Sequence, residues 1–226
     1  MMRSVVRGVG IAALLAALVL SRSCVEGEPS VRGDAGQGGE VDVAQLGFFH
    51  GEAAAPLQIV EFTDPACPYC ARFHAEARDS LFRTYVETGR ARWITIPWVS
   101  GQYAISRPAV VAVECAATPE QGEAVTAALY SARERWVGVP RATSAEVVRE
   151  TAIAVGLDAD DLDRCADDVA LASRIDRADS LATALGVRGT PTYLVDGFPM
   201  MGAVPFDFAR RAFDERLATL AADSAR

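Results

Sequence analysis

Two cysteines three residues apart, Cys67 and Cys70, stand where an apolar run gives way to a helical pattern, and few architectures allow that junction. Leu57 to Phe62 (LQIVEF) is an apolar run interrupted by Glu61, the pattern of a central strand covered on both faces. Thr63 to Ala66 reads as the connecting loop, and Pro68 suits the first turn of a helix. Phe73, Ala77 and Leu81 then recur at helical spacing until Gly89 stops it. Ala91 to Pro97 (ARWITIP) reads as a second strand, so the unit is strand, helix, strand, with the two strands expected to be parallel.

A Cys-x-x-Cys pair in that setting can close a small disulfide ring and reopen it without moving the backbone far. Cys67 falls at the helix N-terminus, where unpaired amides and the positive end of the dipole favour a thiolate. Cys70 falls one turn inside, shielded and within reach as a resolving thiol. A stabilised thiolate is a good leaving group, so the oxidised pair is expected to pass its disulfide to a substrate's thiols, with no cofactor besides the cysteines. A permanent disulfide or half of a zinc site uses the same spacing. Zinc needs a second ligand pair, and the chain has no second C-x-x-C and no H-x-x-x-H. A metal-binding carrier built on Cys67, Cys70 and His74 stays open, because positions i, i+3 and i+7 share a helix face.

From Arg107 to Gly186 the pattern is helical throughout, with Pro119 and Gly156 as breaks and Thr143 with Glu146 as a capping box. It reads as an inserted helical subdomain, at about residues 105–186. Strand character returns in Thr192 to Val195, followed by the hairpin signal Asp196-Gly197 and a short strand near Met200. Phe206 to Leu220 reads as an amphipathic helix with Phe206, Phe213, Leu217 and Leu220 on one face.

With 226 residues, half of them apolar, the chain can bury one core or a compact domain carrying an insertion. Residues 1–23 read as a signal peptide or N-terminal anchor: Arg3 and Arg7 precede an uncharged apolar run from Gly8 to Leu20 that is short for a membrane span. Ser21 to about Glu40 is rich in Gly, Ser, Glu and Asp, so residues 24–45 read as a flexible linker, leaving 46–226 as the main domain. Every basic residue is Arg, and loss of Arg3, Arg7 and Arg22 would take the net charge from -8 to -11. So acidic a surface repels phosphate backbones and anionic headgroups, which argues against nucleic acid as a partner. Five cysteines in an exported chain make disulfides plausible; setting Cys24 aside leaves four.

The stretch Ala55-Pro-Leu-Gln-Ile-Val-Glu-Phe-Thr-Asp-Pro-Ala-Cys-Pro-Tyr-Cys70 resembles the opening of DsbA-like thioredoxin-family proteins, and Gly186-Val-Arg-Gly-Thr-Pro-Thr-Tyr193 resembles their second motif. The resemblance spans the chain from about Gly51 onward and implies an α/β thioredoxin fold with an inserted all-helical subdomain. Pro191 matches the family's cis-proline, which leaves the preceding backbone edge free for an extended substrate, and Thr190 would contact the reacting sulfurs. Glu61 matches the buried acid that exchanges a proton with the resolving cysteine, here Cys70. Cys115 and Cys165 match positions where many relatives carry a second cysteine pair. Cys165 also shares helical spacing with Leu162 and Val169, which lets both thiols point into one small core; the resemblance and an oxidising compartment imply a structural disulfide there, the alternative being two buried free thiols. The resemblance further implies an exported thiol:disulfide oxidoreductase that acts on protein or peptide thiols of the cell envelope and is reoxidised by a quinone-linked membrane partner. A reductase or isomerase of the same fold, and a peptide-binding module without turnover, are the alternatives. Two departures stand out. Ser21 occupies the place where a lipidation signal before Cys24 usually has Leu, and Trp98 to Arg107 is unlike the family's strand-to-helix link.

Overall fold

Three apolar strand patterns and two short edges make one sheet. Its strands are β1 (Phe48–His50), β2 (Leu57–Thr63), β3 (Ala91–Pro97), β4 (Thr192–Val195) and β5 (Phe198–Met201), in the order β1-β3-β2-β4-β5. The computed structural model describes residues 30–31, 41–43 and 46–226. The leader read at residues 1–23, and Cys24, lie outside the described residues. Within the stretch read as a linker, Ser30–Val31 pairs antiparallel with Val41–Asp42, and Val43 is buried in the core.

β2 lies at the centre, parallel to β3 and antiparallel to β4, with Glu61 beside Thr95 on one side and Tyr193 on the other. Because side chains alternate across a strand, Val60 and Phe62 enter one core while Leu57 and Ile59 enter a second. The parallel strand, helix, strand unit expected from the sequence is present. Its helix, α1, runs without a break through Pro68–Phe73, His74–Arg78, Asp79–Leu81 and Phe82–Val86, the second and fourth stretches being wound as π-helix. α1 lays Phe73, Ala77 and Leu81 against Trp93, Tyr193 and Phe213. Full burial of Phe73 and Leu81 stabilises by about 1.5–3 kcal/mol each, which fixes α1 on the sheet.

The insertion consists of α2 (Ser106–Glu114), α3 (Pro119–Ser131), α4 (Arg133–Trp136), α5 (Arg141–Ala154), α6 (Ala159–Ala166) and α7 (Val169–Ala184); α8 (Phe206–Ser224) closes the fold. Val113, Val125, Leu129, Trp136 and Val148 form the insertion's own core. α7 returns to the sheet, where Ala178, Leu181 and Ala182 cover Val60 and Phe62. Cys115, at the end of α2, and Cys165, in α6, are joined by a disulfide.

Pro119 starts α3 at its first turn, with the Thr118 hydroxyl accepting from the Gln121 amide. The capping box at Thr143 and Glu146 is not formed. α5 begins at Arg141, after Pro140 has fixed the chain in an extended turn, so Thr143 lies inside the helix. Val169 does not share the buried face of Cys165: it opens α7 and is 78% exposed, because Asp168 caps a new helix just before it. Asp196 and Gly197 both take positive φ, 48° and 87°, the hairpin turn that Asp-Gly favours.

Gly122 docks the insertion on the sheet. A Cβ there would stand 2.8 Å from the Phe48 ring, so only glycine lets α3 approach β1 this closely.

Candidate active site

The turn between β2 and α1 is fixed by one carboxylate. Asp64, fully buried, accepts the Ala66 amide on Oδ1 at 2.9 Å, and on Oδ2 the Ser100 and Ser106 hydroxyls, each at 2.7 Å. Its backbone carbonyl accepts the Cys67 amide at 2.9 Å. Ala66 is held from the insertion side, where Arg133 Nε donates to its carbonyl at 3.0 Å. Cys67 therefore falls on the N-cap of α1 in extended conformation, with Pro68 opening the helix.

Both sulfurs are free thiols, and each residue is 1% exposed. Cys67 Sγ donates to the backbone carbonyl of Thr190 at 3.2 Å, and the bond from Thr190 to Pro191 is cis. The two motifs, far apart in sequence, thus meet at one sulfur. The Cys67 pKa is lowered to about 5. The largest cause is a hydrogen bond from the Cys70 thiol; it acts against burial and is helped by Thr190 and by the backbone amides of Cys70 and Tyr69. Thr190 Oγ1 is buried with no hydrogen-bond partner among the described residues, and is free to turn to the sulfur on ionisation. Burial, and then the neighbouring Cys67, drive the Cys70 thiol well above its ordinary value. One sulfur carries the charge and the other keeps the proton.

Glu61 lies beneath Cys70, 4% exposed, and accepts from Trp93 Nε1 at 2.9 Å. Burial raises its pKa to about 7, against the opposing pull of Arg78 and the Trp93 hydrogen bond. Glu61 and Cys70 line one small cavity of about 10 Å³. A carboxyl that changes protonation near neutrality thus faces the thiol whose proton must move during exchange. A far larger groove, about 600 Å³ between β5 and α8, is lined by neither sulfur nor Glu61. The small cavity, and not the large groove, reaches one of the two sulfurs.

His74 turns toward that inner cavity, its ring 5.3 Å from the Tyr130 ring, whereas Cys67 Sγ faces Thr190. Among the described residues no three His, Cys, Asp or Glu side chains converge as a metal-binding group.

Sequence reasoning missed Asp64, Arg133 and Tyr103. Asp64 had a signal, since Asp two residues before a small residue in a tight loop commonly accepts that residue's amide. Tyr103 had none. It comes from the unusual link between β3 and α2, and its phenol is pushed up to about 12 by burial and by the charge and hydrogen bond of Cys67. Gln102, beside it, donates to the Arg188 carbonyl at 3.1 Å and ties that link to the cis-proline loop.

A family model described as thioredoxin matches residues 44–215. The chain belongs to the thioredoxin family. Wolbachia pipientis alpha-DsbA1 superposes with a TM-score of 0.70 at 18% identity, over 77% of this chain and 92% of that one. BdbD from Bacillus subtilis, oxidised, gives 0.68 at 18% identity, over 84% and 98%. A thioredoxin-like oxidoreductase from Silicibacter pomeroyi DSS-3 gives 0.60 at 26% identity, over 74% and 90%. No curated protein matches the chain. The fold is that of the DsbA-type oxidoreductases, a thioredoxin sheet carrying a helical insertion.

Proposed function

We propose that this thioredoxin-family disulfide oxidoreductase works as an exported dithiol oxidase, which donates the Cys67–Cys70 disulfide to thiols of other envelope proteins. The observation that carries the reading is the split between the two sulfurs, with Cys67 lowered to about 5 and Cys70 raised. A thiol that ionises so readily is a good leaving group and a stable product of reduction, so the oxidised form gives its disulfide away.

A client thiolate attacks Cys67 Sγ, the bond to Cys70 breaks, and the electron pair leaves on Cys70, which takes a proton from Glu61. A second client thiolate then attacks the client sulfur of the mixed disulfide and releases Cys67 as the thiolate. The edge before Pro191 supports the client as an extended strand, with Thr190 against the reacting sulfur. Reoxidation falls to a quinone-linked membrane partner, and the apolar run after Arg3 and Arg7 supports export.

Equilibration with glutathione tests the direction. A potential near DsbA's, about -120 mV, agrees with an oxidase; one near thioredoxin's, about -270 mV, makes the protein a reductase. In envelope extracts, Cys70→Ser is expected to trap clients on Cys67, and an absence of adducts would remove client exchange as the natural role.

A further inference from the structure

A second charged cluster lies under the sulfurs, and the exchange steps above leave it unused. Arg78, on α1, is 8% exposed, and its Nη2 stands 2.5 Å from Glu123 Oε1 on α3. His50 Nε2, on β1, stands 3.1 Å from the same oxygen. Neither nitrogen has the alignment of a hydrogen bond, and Arg78 with Glu123 forms an ion pair. Arg78 and Glu123 line the same small cavity as Glu61 and Cys70. Between groups this far buried a unit charge acts on its neighbours more strongly than in water.

The two charges act on Glu61 in opposite directions, Arg78 favouring its carboxylate and Glu123 its neutral form. Burial pushes the Glu123 carboxyl up, but His50 and Arg78 outweigh this and hold it below its ordinary value, so it stays anionic at neutral pH. The other titratable groups lining that cavity, and Tyr193 beside it, are neutral there. Tyr130 on α3 and Tyr193 on β4 are raised by burial, Cys70 is raised, and His74 is held down by burial and then by Arg78. Trp93 and Thr95 on β3 carry no charge, and α8 contributes Phe213 to this face.

We propose that Arg78 and Glu123 are positioning residues for disulfide exchange, an ion pair that acts through Glu61 and governs how readily Glu61 trades a proton with Cys70. The pair is completed by the helical insertion, since Gly122 is what brings Glu123 into reach. The inference rests on the oxidoreductase reading. When the reduced protein resolves a mixed disulfide at Cys67, the Glu61 carboxylate takes the Cys70 proton. Cys70 then attacks Cys67 Sγ, and the departing sulfur leaves with the electron pair as a thiolate. The reverse step returns the proton from Glu61 to Cys70.

The test mixes reduced wild type, Glu123→Gln, Arg78→Gln and Glu61→Gln with oxidised glutathione, quenches with acid, and follows the Cys67–glutathione adduct by mass spectrometry across pH. Wild type is expected to resolve the adduct with an inflection near pH 7 that Glu61→Gln lacks. Glu123→Gln moves the inflection down and speeds resolution about two- to five-fold at mildly acid pH, while Arg78→Gln moves it up and slows resolution there by a similar factor. Inflections that stay put or shift together, with Glu61→Gln still losing its own, overturn the ion pair's role and leave the exchange reading standing. If Cys67 never forms an adduct, both fall. Should Arg78→Gln fail to fold, Glu123→Gln alone decides, and an unmoved or raised inflection overturns the proposal.

Discussion

The molecule holds two cysteine pairs of identical chemistry in opposite surroundings. Cys115 and Cys165 join α2 to α6 across a separation of 50 residues, among Val110, Leu171 and Ile175. Cys67 and Cys70 sit three apart at a helix start, one sulfur supplied with hydrogen-bond donors and the other placed over an acid. The sulfur atom is the same in both. What separates a staple from a reagent is whether the fold stabilises the thiolate that appears when the bond opens, and whether a proton is at hand for the partner.

The contrast breaks most visibly at Cys67. Cys67→Ser should abolish exchange with a thiol peptide, a loss of at least about 10⁴-fold in rate, because the attacked sulfur is gone. Replacing both Cys115 and Cys165 by Ala should leave that rate within about two-fold while lowering stability to denaturant by about 4 kcal/mol, the loop-closure entropy of such a span. If the double variant loses exchange instead, the second pair is not merely structural.

Linkage sharpens the comparison. Glu61 has its pKa raised by folding from 4.5 to about 7. It binds its proton more tightly in the native state, so its contribution is complete below pH 4.5 and is lost as pH rises through about 7. Unfolding by urea should show the stability difference between wild type and Glu61→Gln falling by about 3 kcal/mol across that window. Parallel curves would mean that the carboxyl is not buried in solution. Cys67 has the opposite sign: its pKa is depressed from 9.0 to about 5, so its contribution stands above pH 9 and is lost as pH falls through about 5, in the reduced protein only. The smallest effect is expected from Asp64→Asn, which keeps an acceptor for Ala66 but disturbs the contacts with Ser100 and Ser106. Exchange should slow about three-fold with the Cys67 pKa unchanged. An unchanged rate would remove Asp64 as the residue that sets the turn.

Much of the central sheet was legible because its pattern is local: Ala91 to Pro97 is the observed β3, and Asp196-Gly197 makes the turn its composition favours. The Cys-x-x-Cys junction was legible for the same reason. Thr143 misled because a capping box competes with the proline that precedes it, and Pro140 begins the helix earlier. Val169 misled because helical spacing continues across Asp168, where one helix ends and another starts. Tyr103, Arg133 and Glu123 could not be read at all. Each reaches the site from a segment distant in sequence, and an exposed-looking Glu or Arg in a helical pattern carries no mark of the neighbour it will meet.

The account depends most on Cys67 being ionised well below neutrality. Thiolate ultraviolet absorbance of the reduced protein, followed across pH with Cys67→Ser subtracted, measures this without requiring reagent to reach the sulfur. A midpoint near 5 is the predicted result, and a midpoint near 9.0, that of an ordinary thiol, would contradict it.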